Sequence, residues 1–244
     1  MRSLARSRLL ASATSLSVLT AMGPAFAPSA SGAPSFAVYH GTLGNGKTVV
    51  SRWKPCHSIT YKVNLAAVPT RSRPRILAET PTAIRVLAAR SGFRYRYLGQ
   101  TREVPRPGSW NGQSAELVIA YTTPAKTRYL AGGPSGVAGP YWAWASHGVS
   151  TTRYLDAITG GFVDINTPDM LSNWRPGFGA GVTRGNLLLH KLGHATGLKH
   201  VSNRHLLMYP TMTSASPNGY AAGDRAGLAF VGKRPGCVTV RQPS

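Results

Sequence analysis

The chain has 244 residues, with 28 Lys+Arg against 7 Asp+Glu and a formal net charge of +21. Charged residues are only 14% of it, below the roughly 25% of an average globular protein, so the basicity reflects a shortage of acids: Glu79, Glu103, Glu116, Asp156, Asp164, Asp169 and Asp224. The shortage excludes carboxylate-rich calcium loops, and 42% apolar residues exclude a disordered basic tail and suit one domain with its own core.

Arg2, Arg6 and Arg8 precede a mostly apolar stretch over 9–22 and the small-x-small triplet Ala25-Phe26-Ala27, the layout of a secretory signal peptide. Residues 1–33 are therefore expected to be signal peptide and leader, cut between 27 and 33, and the chain to be secreted. Residues 34–50 then form an N-terminal extension and 51–244 a single domain. The apolar stretch is shorter than the ~20 residues a spanning helix needs, and no later segment qualifies, so no membrane span is expected. Cys56 and Cys237 lie 181 positions apart. They either stay free or, as export favours, form a bridge that closes nearly the whole domain into one loop, contributing roughly 5 kcal/mol in the loop-entropy picture.

Ile59, Tyr61 and Val63 alternate with Ser58, Thr60, Lys62 and Asn64, which predicts a half-buried strand over 57–64. Ile76, Leu77, Ile84 and Leu87 form a helical stripe over 74–90, interrupted by Pro81. The helix there either kinks or starts afresh with Thr80 as N-cap. Phe93, Tyr95 and Tyr97 alternate with Arg94 and Arg96 as a second strand, and 116–121 is a third, more buried one. Residues 131–150, rich in glycine, read as a loop feeding an edge strand, and 161–166 as a further short strand. The element order suggests an α+β fold, a mixed sheet with helices packed on it.

The informative segment runs from Leu187 to Pro210. His190 and His194 lie four apart, on one helix face, the spacing that lets two imidazoles grip one metal ion. Gly197 can adopt positive φ and end the helix, so that the chain turns and brings His200 to the same ion. Three neutral imidazoles leave zinc one open position. Leu207-Met208-Tyr209-Pro210 follows closely, and His205 is a loop histidine or a fourth metal-side ligand. His40, His57 and His147 lack ligand spacing and read as surface or structural.

This pattern resembles the metzincin zinc peptidases, H-E-x-x-H-x-x-G-x-x-H followed by a methionine turn, and within them the matrixin-like branch of secreted actinobacterial proteins. Arg52-Trp53-Lys54-Pro55-Cys56 ahead of the first alternating strand, Gly223-Asp224 with Ala226-Gly227-Leu228, and Cys237 extend the resemblance over about residues 50–240. It implies a metzincin-like twisted mixed sheet with an edge strand over the cleft, a long helix after the first strand, an active-site helix and a C-terminal helix. It implies Zn²⁺ on His190, His194 and His200, with Gly197, Met208 and Pro210 structural. A peptide or protein substrate would lie as an extra strand along residues 135–147, where Trp142 and Trp144 shape subsites or pack in the core.

One departure falls on the chemistry. The family's glutamate after the first histidine is Lys191 here. That carboxylate takes a proton from the attacking water and returns it to the leaving amine; an ammonium cannot accept one. Lys191 must swing away, lose its proton or weaken metal binding. The sequence thus points to a zinc metallopeptidase of doubtful activity, to a pseudopeptidase that binds peptides uncut, or to a cationic surface-binding protein with a relic site. Arg71, Arg73, Arg75, Arg94 and Arg96 suggest weak polyanion binding; no nucleic-acid motif accompanies them, and a monomer is expected.

Overall fold

The computed structural model describes residues 35–42, 46–53, 57–107, 112–142 and 157–236. The signal-peptide reading, Cys56 and Cys237, His147 and Trp144 lie outside the described residues. The alternating segment forms the strand expected of it. The short strands β1 (Ala37–Val38), β2 (His40–Thr42), β3 (Thr48–Val50) and β4 (Arg52–Trp53) come first. Then β5 (Ser58–Asn64) buries Ile59, Tyr61 and Val63 and half-exposes Ser58, Thr60 and Lys62.

From β5 the chain crosses through α1 (Arg73–Ser91) to β6 (Arg94–Gln100). Helix α1 runs unbroken through Pro81, so the fresh start at Thr80 does not occur. The Thr80 hydroxyl donates to the Ile76 carbonyl at 2.9 Å and shares a 2.8 Å hydrogen bond with the Tyr121 hydroxyl. That buried link to the sheet and the packing of Ile76, Ile84 and Leu87 outweigh the backbone bond that Pro81 removes. Gly92 ends the helix at φ 73°, a conformation glycine adopts without strain.

β7 (Leu117–Thr122), β8 (Gly136–Trp142) and β9 (Ala157–Asn166) complete a six-stranded sheet in the order β4-β9-β7-β5-β6, with β8 also on β9. Pairings within the order are parallel; β8 is antiparallel and pairs only with β9. All six residues of β7 are buried, as in a strand covered on both faces. β9 starts four residues earlier than the short strand read at 161–166. Gly160 and Gly161 look like breakers in sequence, yet a Cβ at 161 would stand 3.2 Å from Trp53 and 3.4 Å from the Ala195 carbonyl oxygen, so glycine is what lets a helix approach the sheet there.

α2 (Thr167–Asn173) and α3 (Arg184–Thr196) follow, then the two-residue strand β10 (Leu198–Lys199) and α4 (Ala222–Val231). The fold is α+β, with a mostly parallel central sheet and four helices. β1 pairs with β10, Ala37 opposite Lys199 and Val38 opposite Leu198. The buried Arg52 donates to the carbonyls of Val231, Gly232 and Gly236, putting a cation on the C-terminal end of α4, where the helix dipole favours one. No helix among the described residues is long and apolar enough to cross a membrane.

Asp164 on β9 is fully buried, and neither carboxyl oxygen has a hydrogen-bond partner. Burial pushes its carboxyl from an ordinary 3.8 up to about 7. Between these values the folded chain holds a proton that the unfolded chain has released, so stability falls as pH rises through that window, by roughly 4 kcal/mol at most. Asp164→Asn is expected to remove this slope: urea unfolding shows the variant close to wild type at pH 4 and more stable at pH 8.

Candidate metal centre

The site is built on α3. The Thr183 side chain caps the helix by accepting from the Asn186 N–H at 3.2 Å. Asn186 then donates to the carbonyls of Gly179, Gly181 and Pro217 and accepts from the Gly219 N–H, which anchors the first turn to the loop before α4. Leu187, Leu188, Leu189, Leu192 and Ala195 join the core, and the Trp53 indole donates to the Ala195 carbonyl at 2.9 Å. Helix face and core together hold His190 and His194, 2% and 6% exposed, side by side.

Gly197 ends α3 at φ 118°, its N–H bonding back to the carbonyls of Gly193 and His194. The chain reverses through β10 and delivers the exposed His200. The Nε2 atoms of His190 and His194 are 3.0 Å apart, those of His194 and His200 3.0 Å, and those of His190 and His200 3.2 Å. The Nδ1 atoms of His190 and His194 face the Leu207 and Leu198 carbonyls at 2.7 and 2.9 Å. A carbonyl only accepts, so these Nδ1 atoms carry the protons and the Nε2 lone pairs point at each other. Lone pairs this close repel unless a cation lies among them. Three imidazoles on a tetrahedral ion at 2.0–2.1 Å would stand about 3.3 Å apart, so the trio fits such an ion with small adjustment. His190, His194 and His200 can hold a metal ion.

Electrostatics favour neutral rings. Burial lowers His190 well below its ordinary value and His194 to about 3, and it lowers His200 as well; the neighbouring charge of Lys191 acts in the same direction on all three. Neutral imidazoles are the ligand form. Zinc is expected to raise the melting temperature of the wild-type chain, by an equivalent of roughly 3 kcal/mol at a hundredfold excess over its dissociation constant. His194→Ala should lose that shift, which differential scanning calorimetry with and without zinc would show.

The turn after His200 is held from α4. Asp224 accepts from the N–H groups of Leu207, Met208 and Ala221 at 2.7, 3.1 and 2.9 Å. The Leu207–Met208 peptide group therefore gives its N–H to Asp224 and its carbonyl to His190. Met208 is 1% exposed and lies against Gly193, where a Cβ would be 2.6 Å from its Sδ; the methionine packs beneath the helix turn that carries both histidines. Pro210 is exposed just past this turn. The role of Asp224 escaped the sequence reading, whose only hint was an acid two residues into the closing helix; Gly193, between the histidines, went unremarked.

Lys191 is half-buried between α3 and β8: a Cβ on Gly136 would lie 3.4 Å from its Cε. Burial lowers its ammonium to about 8. It makes no hydrogen bond or ion pair among the described residues. His205 is exposed, its N–H on the Asn203 side chain, and is not part of the trio. His40 is exposed in β2. Trp142, 40% exposed, stacks edge-on against Tyr39 with ring centroids 5.6 Å apart. Of the expected edge at 135–147, residues 136–142 form β8; 143–147 lie outside the described residues. A cavity of about 530 Å³ lies away from the histidines, lined by Leu65, Ala66, Arg73, Gln100, Thr101 and Arg102. No protein-family model and no curated protein matches the chain.

Proposed function

We propose that this is a secreted zinc-site protein of the matrixin-like metzincin type that receives peptides along β8 and, for want of a general base, hydrolyses them at a residual rate. The convergence of three imidazoles above a buried methionine, with a lysine and, among the described residues, no carboxylate beside them, carries the reading. A parallel sheet ending in one antiparallel strand next to the histidine helix supports it, because an edge strand offers main-chain partners to an extended peptide. Zinc, when bound, supplies Lewis acidity toward a carbonyl and a water. His190 and His194 present oriented lone pairs, the chain reversal at Gly197 delivers His200, and Lys191 as an ammonium offers protons and accepts none. The purified chain is expected to hold one zinc per molecule by elemental analysis and to cleave a generic fluorogenic peptide slowly and chelator-sensitively. A chain without zinc under zinc-replete conditions would refute the reading.

Polyanion binding is a second reading that one observation favours. Arg71, Arg73, Arg75, Arg94 and Arg96 are all exposed, and none of these five is joined to a carboxylate among the described residues. Salt-dependent retention on a heparin column, steep in ionic strength and independent of zinc, would establish that activity.

A further inference from the structure

We propose that Lys191 and the metal held by His190, His194 and His200 together form a receptor for a peptide carboxylate, so that the site captures peptides by a free acid. The inference rests on the zinc-site reading and names the ligand chemistry that this chain's own departure selects.

Lys191 directly follows the candidate metal ligand His190 on α3 and precedes His194 by three residues. Its stem is pinned against the start of β8 at Gly136, the strand along which a peptide would lie. No acid of the described chain serves it. Glu79 accepts from the Gly177 N–H, Glu103 from Ser114, and Glu116 is taken by Thr60 and His57. Asp169 accepts from Asn173 and Trp174, and Asp224 holds the methionine turn. Asp164 alternates with Gly161, Val163 and Ile165 on β9, and Gly161 faces α3, so Asp164 lies on the sheet face away from Lys191. A half-buried ammonium beside a dication with no counter-charge favours an anion. A carboxylate has two oxygens, one for each cation, whereas a peptide carbonyl brings no charge. The carboxylate comes either from a peptide C-terminus or from an Asp or Glu side chain.

Zinc content of the full chain is measured first by elemental analysis. Calorimetry then compares three N-acetylated Ala/Ser hexapeptides: the free acid, the C-terminal amide, and the amide with one internal aspartate. A carboxylate peptide is expected to bind roughly 10- to 100-fold more tightly than the plain amide; the better of the two acids identifies the source. Lys191→Met should keep zinc and lose the preference, and Lys191→Arg should keep both. Equal affinity for all three peptides on zinc-loaded protein overturns the inference and leaves the zinc site standing, as does a preference undiminished in Lys191→Met. Absence of zinc overturns both.

Discussion

Lys191→Glu is expected to raise peptide hydrolysis by roughly 10²–10⁴-fold, the range that a positioned general base contributes. On the proposed reading the substitution adds a base to three imidazoles with Nε2 atoms 3.0–3.2 Å apart, with Met208 packed beneath them and β8 beside them. Position 191 follows His190 on the same helix and lies against Gly136, so a glutamate there occupies the space of the lysine stem. The substitution also changes the sign of the field on the metal. At an assumed ~5 Å and an effective dielectric of about 20, an ammonium repels a dication by roughly 6–7 kcal/mol before relaxation; a carboxylate attracts it. The variant should therefore bind zinc more tightly as well as turn over faster. Turnover of a fluorogenic peptide and zinc content, measured on both proteins, check the two effects separately. If the variant holds stoichiometric zinc and stays inert, the defect lies elsewhere than in the missing base.

Asp224→Ala is the second large effect, and it acts through the turn. The carboxylate is 1% exposed and satisfies the N–H groups of Leu207, Met208 and Ala221. Its removal leaves buried donors without partners, at about 1–3 kcal/mol each when water cannot reach them, so a loss of roughly 3–5 kcal/mol is expected. That is a large part of the 5–15 kcal/mol by which domains are stable. The same change frees the Leu207–Met208 peptide group, whose carbonyl orients His190 through Nδ1. Loss of such an outer partner commonly weakens metal binding 10- to 100-fold. Urea unfolding and a zinc titration measure the two consequences. A loss below 1 kcal/mol with unchanged zinc affinity would show that the turn holds itself.

Much of the site is local and could be read along the chain. Leucines and alanine at helical spacing identify the face that buries α3, and four-residue spacing puts His190 and His194 one turn apart whatever the rest of the molecule does. The alternation at 58–64 was equally direct, because one face of β5 is covered and the other is partly open. Where both faces are covered the alternation fails. β9 buries Asp164 along with Ile158 and Ile165, it begins four residues before the strand read from Gly161, and Gly161 serves the approach of Trp53 and Ala195. Thr80-Pro81 left two readings open until the hydrogen bond to Tyr121 placed Thr80 inside one continuous helix.

The sequence by itself determined the candidate site and its anomaly: three histidines that can meet, a helix-ending glycine, a methionine after them, and a lysine directly after the first histidine. Helical periodicity and backbone permissiveness act over a few residues, so such features need no knowledge of the fold. Tertiary structure alone decided what surrounds them. Asp224 meets Leu207 across 17 positions, Arg52 reaches the end of α4 across 179 or more, and all six described acids find places other than Lys191. Those pairings depend on which faces pack together, and burial then sets their energies: it depresses the histidines and raises Asp164, while Lys191 has no counter-charge among the described residues. A chain with seven acids in 244 residues has few to set against that lysine, and the packing of the domain places the six described ones elsewhere.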